Sequence, residues 1–306
     1  MKSIFYCMLF FSFLFANGQV AKASSGSLEE VTAFKSKFID TRTVTIWLPE
    51  GYSEKEKYAV LYMHDGQMLF DSSITWNKQA WDVDDIAGEI QQKGLTQKFI
   101  IVGIWNNSSK RHSEYFPQQP FESLTPIERE FVSNELQKAG RTKATFQPIS
   151  DLYLKFLVTE LKPYIDSKYA TYSDVQHTFI AGSSMGGLIS MYAICEYPTV
   201  FGGAACLSTH WPGIFATANN PIPEAFIKYL RSHLPNPESH KIYFDYGDQT
   251  LDALYAPLQQ NVDKVMEEKG FTTANWMTQF FPGKDHSEKS WHERIAIPLL
   301  FLLKKK

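Results

Sequence analysis

Cysteine is scarce, with three residues in 306, at positions 7, 195 and 206. So few cannot build a disulfide framework, and a chain this long can bury a full core without one. Cys195 and Cys206 lie in apolar contexts (MYAIC and GGAAC), which reads as buried free thiols. Charge of one sign is lacking too. Lys and Arg number 30 against 33 Asp and Glu, and a formal net charge of −3 leaves no basic footprint for nucleic acid. The 8 histidines show no metal-ligand spacing, so neither a metal nor another cofactor is expected. Internal repeats and low-complexity linkers are missing. Past the N-terminus no run is long and apolar enough to cross a bilayer. What is present, 44% hydrophobic and 21% charged residues, is globular composition and excludes a disordered or collagen-like chain.

The first residues read as a leader. Lys2 precedes the apolar run Ile4 to Ala16, which falls short of the roughly 20 residues a membrane span needs. Ala21-Lys22-Ala23 has the Ala-x-Ala form that signal peptidase recognises. The expected organisation is a signal peptide over 1–23 and one domain over 24–306. The mature protein is then secreted or periplasmic, without stable membrane insertion.

Beyond the leader, strand-like runs alternate with helical stretches. Strands are expected at Val31 to Phe38, Arg42 to Leu48, Tyr58 to Met63, Phe99 to Trp105, Thr178 to Gly182, Gly203 to Ser208, Lys241 to Tyr246 and Trp276 to Phe281. Helices are expected at Asp151 to Lys168, kinked or broken by Pro163, at Gly187 to Tyr197 and at Asp252 to Lys269. Most strand runs are continuously apolar, as buried parallel strands should be. The alternation predicts an α/β fold, a mostly parallel central sheet with helices on both faces. Two stretches break the rhythm, Asn107 to Ser150 and Trp211 to Pro235. Both follow strand ends and read as insertions at the edge where open α/β sheets bind ligands; the first is expected to be largely irregular, with one short helix at Ile127 to Gln137.

The chemistry is carried by Gly182-Ser183-Ser184-Met185-Gly186, a G-x-S-x-G motif centred on Ser184. The strand His177 to Ala181 runs straight into it, and a helix follows, the strand–turn–helix that holds a nucleophile on a tight elbow. No Gly-Lys-Ser/Thr is present to make it a phosphate loop. At the helix start the N–H of Met185 is placed to stabilise an oxyanion. A serine hydroxyl needs a base, and the base an orienting carboxylate, in the order Ser, Asp/Glu, His for this architecture. His286, after the last strand, is the expected base, with His292 in the following helix as its rival. Asp252 is the expected acid. Asp248 shares its loop, and Asp245 lies in the strand before it. A second oxyanion donor is expected from the N–H of Gln67, in His64-Asp65-Gly66-Gln67.

His64-Asp65-Gly66-Gln67, Val102-Gly103-Ile104, Arg111-x-x-Glu114-Tyr115-x-Pro117, Gly182-Ser183-Ser184-Met185-Gly186-Gly187, and Gly283-x-x-His286 followed by Trp291 together resemble the putative esterase family of α/β-hydrolases. That family includes feruloyl and acetylxylan esterases, S-formylglutathione hydrolases, enterochelin esterases and mycolyltransferases. The resemblance spans roughly Arg42 to Leu303. It implies the α/β-hydrolase fold, Ser184 as nucleophile, His286 as base and the Met185 N–H as oxyanion donor. Where relatives carry Gly-Thr-Glu-Thr-Leu-Asp, this chain has Gly247-Asp248-Gln249-Thr250-Leu251-Asp252. The shared last residue favours Asp252, and the altered middle keeps Asp248 open.

The expected activity is carboxylic ester hydrolysis through an acyl-enzyme, on a small-molecule or glycan ester: a carbohydrate, feruloyl or siderophore ester. Two alternatives remain at this level, an acyltransferase of the same fold and a binding module that keeps the fold without turnover. Arg111 and Glu114 are expected to pair, or Arg111 to meet an acidic substrate group. Trp211 and Trp291, near strand ends, are candidates for a substrate-binding aromatic wall.

Overall fold

The computed structural model describes residues 21–215 and 218–305. The signal-peptide reading rests mainly on residues 1–20, which lie outside the described residues. Eight strands form one sheet: β1 (Ser27–Phe34), β2 (Arg42–Leu48), β3 (Ala59–His64), β4 (Phe99–Ile104), β5 (Thr178–Ser183), β6 (Gly203–Leu207), β7 (Lys241–Tyr246) and β8 (Trp276–Phe280). Their order is β1-β2-β4-β3-β5-β6-β7-β8. β1 and β2 pair antiparallel, β2 also meets β4 antiparallel, and β4 through β8 run parallel. This is the expected architecture, with an antiparallel entry.

The apolar runs become central strands because both faces of the sheet are covered. Along β3, Val60 and Tyr62 face one core with Ile100, Val102 and Ile180, while Ala59, Leu61 and Met63 face the other with Phe99, Ile101 and Ala181. From β3 the chain steps to β4 on one side and later to β5 on the other, so the loops leaving β3 and β5 diverge and open a crevice at their carboxyl ends. The loops after β6, β7 and β8 share that edge.

The expected helix at Asp151 to Lys168 is interrupted as Pro163 requires. It runs as an α-helix (Ser150–Phe156), a π-helical turn (Leu157–Leu161) and a second α-helix (Lys162–Lys168). Pro163 has no N–H for the carbonyl four residues back, and the turn before it widens. The stretch Asn107 to Ser150 departs from expectation. Instead of one helix among irregular backbone it forms three, Arg111–Tyr115, Gln118–Glu122 and Pro126–Lys138. The last is fixed by a capping box, Thr125 accepting from the Glu128 N–H and Glu128 from the Thr125 N–H. Tyr115, Phe116, Phe121 and Phe146 bury aromatic rings against the main core and order the segment. The second interruption holds another helix, Ile222–His233.

One glycine decides whether the elbow can form. A Cβ at Gly182 would lie 2.8 Å from the backbone C and O of Gly186 and 3.0 Å from its Cα. None of these backbone atoms can rotate away. Gly182→Ala is therefore expected to lower stability by about 1–3 kcal/mol, read as a shift of the urea unfolding midpoint.

Candidate active site

Ser184 caps the helix Met185–Glu196 with φ 58° and ψ −121°, a conformation L-residues rarely adopt, at a cost of about 1–3 kcal/mol. Backbone bonds hold it there. Its N–H donates to the Leu207 carbonyl (2.9 Å), and its carbonyl accepts from Gly187 (3.0 Å), Leu188 (3.2 Å) and His210 (3.2 Å). Its side chain makes no cap hydrogen bond to the helix. The Tyr255 hydroxyl meets His210 Nδ1 at 2.9 Å, and the Tyr255 ring stands 5.8 Å from that of His286.

His286 lies in the turn after β8. Its Nδ1 meets Asp252 Oδ1 at 2.6 Å. Asp252 sits in the 3₁₀ turn Thr250–Leu254 after β7 and is 0% exposed. Its second oxygen accepts from the Gly247 N–H (2.7 Å) and the Ser208 hydroxyl (2.6 Å). The other expected carboxylates lie elsewhere. Asp248 accepts from the Gly283 N–H (2.8 Å), and Asp245 is held by Arg294 (2.9 Å), the Ser208 N–H (3.0 Å) and the Tyr243 hydroxyl (3.0 Å). Burial pushes the Asp245 carboxyl up, against the pull of Arg294. His292, the rival base, bonds the Trp81 carbonyl at 2.8 Å.

Gln67 sits in the short 3₁₀ turn Gly66–Met68, behind Asp65 at φ 58°. This loop lies against the elbow, since a Cβ on Gly186 would stand 3.4 Å from His64 Cβ and 3.5 Å from Asp65 Oδ2. Among the described residues, no backbone carbonyl takes the N–H of Gln67 or Met185. Both donors are thus available at the same crevice.

One pairing expectation is corrected. Arg111 does not pair with Glu114. It makes a two-pronged bond to Asp65 (2.8 and 2.7 Å), and Glu114 pairs instead with Arg42 (2.8 and 3.1 Å). The partners are far apart in sequence, so local spacing misleads. Burial would raise the Asp65 carboxyl, but Arg111 and Asn106 overcome it and hold it below the usual range. Arg111 thereby braces the loop that carries Gln67. Trp211 is 2% exposed, with its Nε1 on Gln259 Oε1 (2.8 Å), and Trp291 is 5% exposed, with its Nε1 on Ser208 Oγ (3.0 Å). Both rings are almost wholly buried, and Trp211 also lines a small cavity with Phe226, Ile227 and Val262. The Trp291 ring instead meets the His286 ring edge-on at 5.1 Å.

The residues that sequence reasoning missed are those behind Asp252. The Ser208 hydroxyl, at φ 40°, donates to Asp252 and accepts from Trp291 Nε1 and from Arg294 (2.7 Å). Arg294 lies between two buried carboxylates, 2.9 Å from Asp245 and 3.9 Å from Asp252. The available signals were a polar Ser-Thr-His run directly after β6 and one arginine in an apolar C-terminal stretch.

Several buried histidines line the same side. Burial pushes His64 and His112 down to about 3, and His210 well below its ordinary value. An unfolded imidazole takes its proton near pH 6.5. Between that pH and about 3 the unfolded chain binds more protons, so stability falls as pH falls through this window. His112→Phe is expected to flatten the slope by up to about 1.4 kcal/mol per pH unit between pH 4 and 6, measured by urea unfolding.

Residues 36–297 match the family profile described as putative esterase. The chain belongs to the putative esterase family. Membership places it among carboxylic ester hydrolases. This esterase is 24% identical over 285 residues to an uncharacterized protein, YbbA, of Bacillus subtilis (strain 168), over 90% of this chain and 96% of that one. It is 25% identical over 194 residues to an endo-1,4-beta-xylanase/feruloyl esterase of Xylanibacter ruminicola, over 60% of this chain but 22% of that protein. Among solved structures it resembles a ferulic acid esterase (TM-score 0.64, 20% identity, 92% of this chain and 98% of that one). It also resembles the enterobactin esterase FES of Shigella flexneri (TM-score 0.65, 16% identity, 92% and 60%). These structural likenesses establish the α/β-hydrolase fold of the esterase. Among the described residues, no helix is long and apolar enough to cross a membrane and no cluster of His, Cys, Asp or Glu could hold a metal ion.

Proposed function

We propose that this esterase is an exported serine hydrolase that cleaves carboxylic esters through Ser184, His286 and Asp252. The observation that carries the reading is the 2.6 Å bond from His286 Nδ1 to a fully buried Asp252, beside a serine on a left-handed elbow. Asp252 holds the proton of His286 on Nδ1, leaving Nε2 free to accept. Ser184 Oγ attacks the ester carbonyl as His286 takes its proton. The tetrahedral oxyanion is held by the N–H groups of Met185 and Gln67. His286 then protonates the departing alkoxide as the C–O bond breaks, and water, activated by the same base, releases the acid.

The substrate class follows the relatives' chemistry: an aryl, carbohydrate or siderophore ester. Export rests on Ala21-Lys22-Ala23 and the apolar run before it. A fluorophosphonate probe should label the folded protein and fail to label Ser184→Ala. Labelling that survives the substitution refutes the assignment. A panel of p-nitrophenyl, feruloyl, acetylated-glycan and siderophore esters, offered to the mature chain, then identifies the acyl and alcohol groups it prefers.

A further inference from the structure

The first described residues are fastened to the fold. The Lys22 N–H donates to Asp71 Oδ2 (3.0 Å), and Ala23 packs on the core that contains Trp81 and Trp291. The Ser25 carbonyl accepts from Trp47 Nε1 (2.7 Å). Ser25 Oγ occupies room left by Gly88, where a Cβ would stand 2.1 Å away. Between these anchors Ser24 meets the first turn of the helix Val83–Gln92. Its N–H donates to Asp84 Oδ2 at 2.7 Å, and its hydroxyl reaches Asp84 Oδ2 (2.8 Å) and Asp85 Oδ1 (2.5 Å).

Asp84 is 0% exposed, and its Oδ1 is buried without a hydrogen-bond partner among the described residues. Next to it, Asp82 feels the negative charge of Asp84, Asp85 and Asp71, and His292, 3.8 Å from Asp82, faces this acidic patch from the C-terminal part of the chain. A buried carboxylate among like charges calls for a cation, and the helix dipole supplies only a fraction of one.

We infer that cleavage of the Ala23–Ser24 bond makes that cation, and that the new α-ammonium of Ser24 seats on Asp84 as an ion pair. The inference rests on the leader reading above. Hydrolysis adds water across the peptide bond, so the carboxylate departs with Ala23 and the nitrogen stays on Ser24, protonated at neutral pH. That nitrogen already stands at hydrogen-bond distance, and the Ser25 contacts with Trp47 and Gly88, which remain when Lys22 and Ala23 depart, keep it there. One donor becomes three, which brings the unpartnered Asp84 oxygen a candidate donor. The contact extends to the site. The helix begins directly after Trp81-Asp82, and the Trp81 ring lies 5.3 Å from Trp291, which backs His286. Processing therefore fastens the wall behind the candidate base.

The test compares a chain starting at Ser24 with a free amine and the same chain starting at Ala23, which moves the charge by about 3.8 Å. At pH 6.5 the Ser24 chain should melt about 3 °C or more higher. An unfolded α-amine titrates near pH 7.7, and a carboxylate partner raises it in the fold. The advantage should thus be complete below about pH 7.7 and fade as pH rises through the raised value. It should vanish in an Asp84→Asn background, and N-acetylating the Ser24 chain should abolish it without any substitution. Equal melting temperatures, or a gap that survives both changes, overturn the ion pair. N-terminal sequencing of the exported protein separates the two readings. A start other than Ser24 overturns the cleavage, whereas a start at Ser24 with equal melting temperatures overturns the pair alone.

Discussion

Ser184→Ala is expected to lower kcat for a p-nitrophenyl ester by about 10⁴-fold or more while leaving the melting temperature nearly unchanged. The two halves belong together. Stability is insensitive because the elbow is held by backbone bonds, from the Ser184 N–H to Leu207 and from Gly187, Leu188 and His210 to the Ser184 carbonyl, none of which uses the hydroxyl. Rate should be sensitive because, in the proposed mechanism, the hydroxyl oxygen forms the acyl bond, and no neighbouring group replaces it. His210 and Tyr255 stand close, but burial holds His210 neutral and pushes the Tyr255 phenol well above its ordinary value, so neither supplies an anionic nucleophile near neutral pH. A residual acceleration over water, on the order of 10³-fold, is expected from the two N–H donors and substrate positioning alone. Steady-state kinetics with thermal unfolding of both proteins checks the prediction. A variant that keeps a tenth of the activity would place the nucleophile elsewhere.

Sequence legibility followed the range of the interactions. The sheet could be read from apolar runs because central parallel strands are covered on both faces, and the elbow because its serine and the glycines that flank it lie within a few residues. Local spacing failed where the partner was distant. Arg111 and Glu114 sit one helical turn apart, yet Arg111 takes Asp65, 46 residues earlier, and Glu114 takes Arg42, 72 residues earlier. The helix expected at Ile127 to Gln137 is present as Pro126–Lys138, but the other two between Asn107 and Ser150 escaped for a related reason. Both are single turns without a strong apolar stripe, ordered by aromatic anchors such as Tyr115 and Phe121 rather than by propensity. Trp211 and Trp291 were placed near the right edge, but one pattern describes a buried tryptophan and a ligand-facing one alike. Ser208 and Arg294 carry no motif, because their role exists only once β6, β7 and the C-terminal segment are side by side.

Asp252 and Asp248 share one loop, so sequence could rank them but not separate them; substitution does. Asp252→Asn is expected to lower kcat by about 10⁴-fold, and Asp248→Asn by less than about threefold. The hydrogen bonds around Asp252 give the reason. Its Oδ2 position is met by two donors, the Gly247 N–H and the Ser208 hydroxyl, so an asparagine must place its carbonyl oxygen there. The amide NH₂ then occupies the Oδ1 position and points at His286 Nδ1. Nδ1 must accept, which moves the imidazole proton to Nε2, the nitrogen that receives the proton of Ser184 in the proposed mechanism. The base is present but holds the wrong tautomer. The substitution also removes one of the two carboxylates beside Arg294, while the 2.9 Å bond to Asp245 keeps that guanidinium paired, so the fold should survive. Asp248 receives the Gly283 N–H and has no contact with His286 that a tautomer could register. Kinetics of the two variants across pH 5–9, beside their urea midpoints, distinguishes them. Near-wild-type turnover in Asp252→Asn, or a collapse in Asp248→Asn without loss of stability, would move the acid to the other end of the loop.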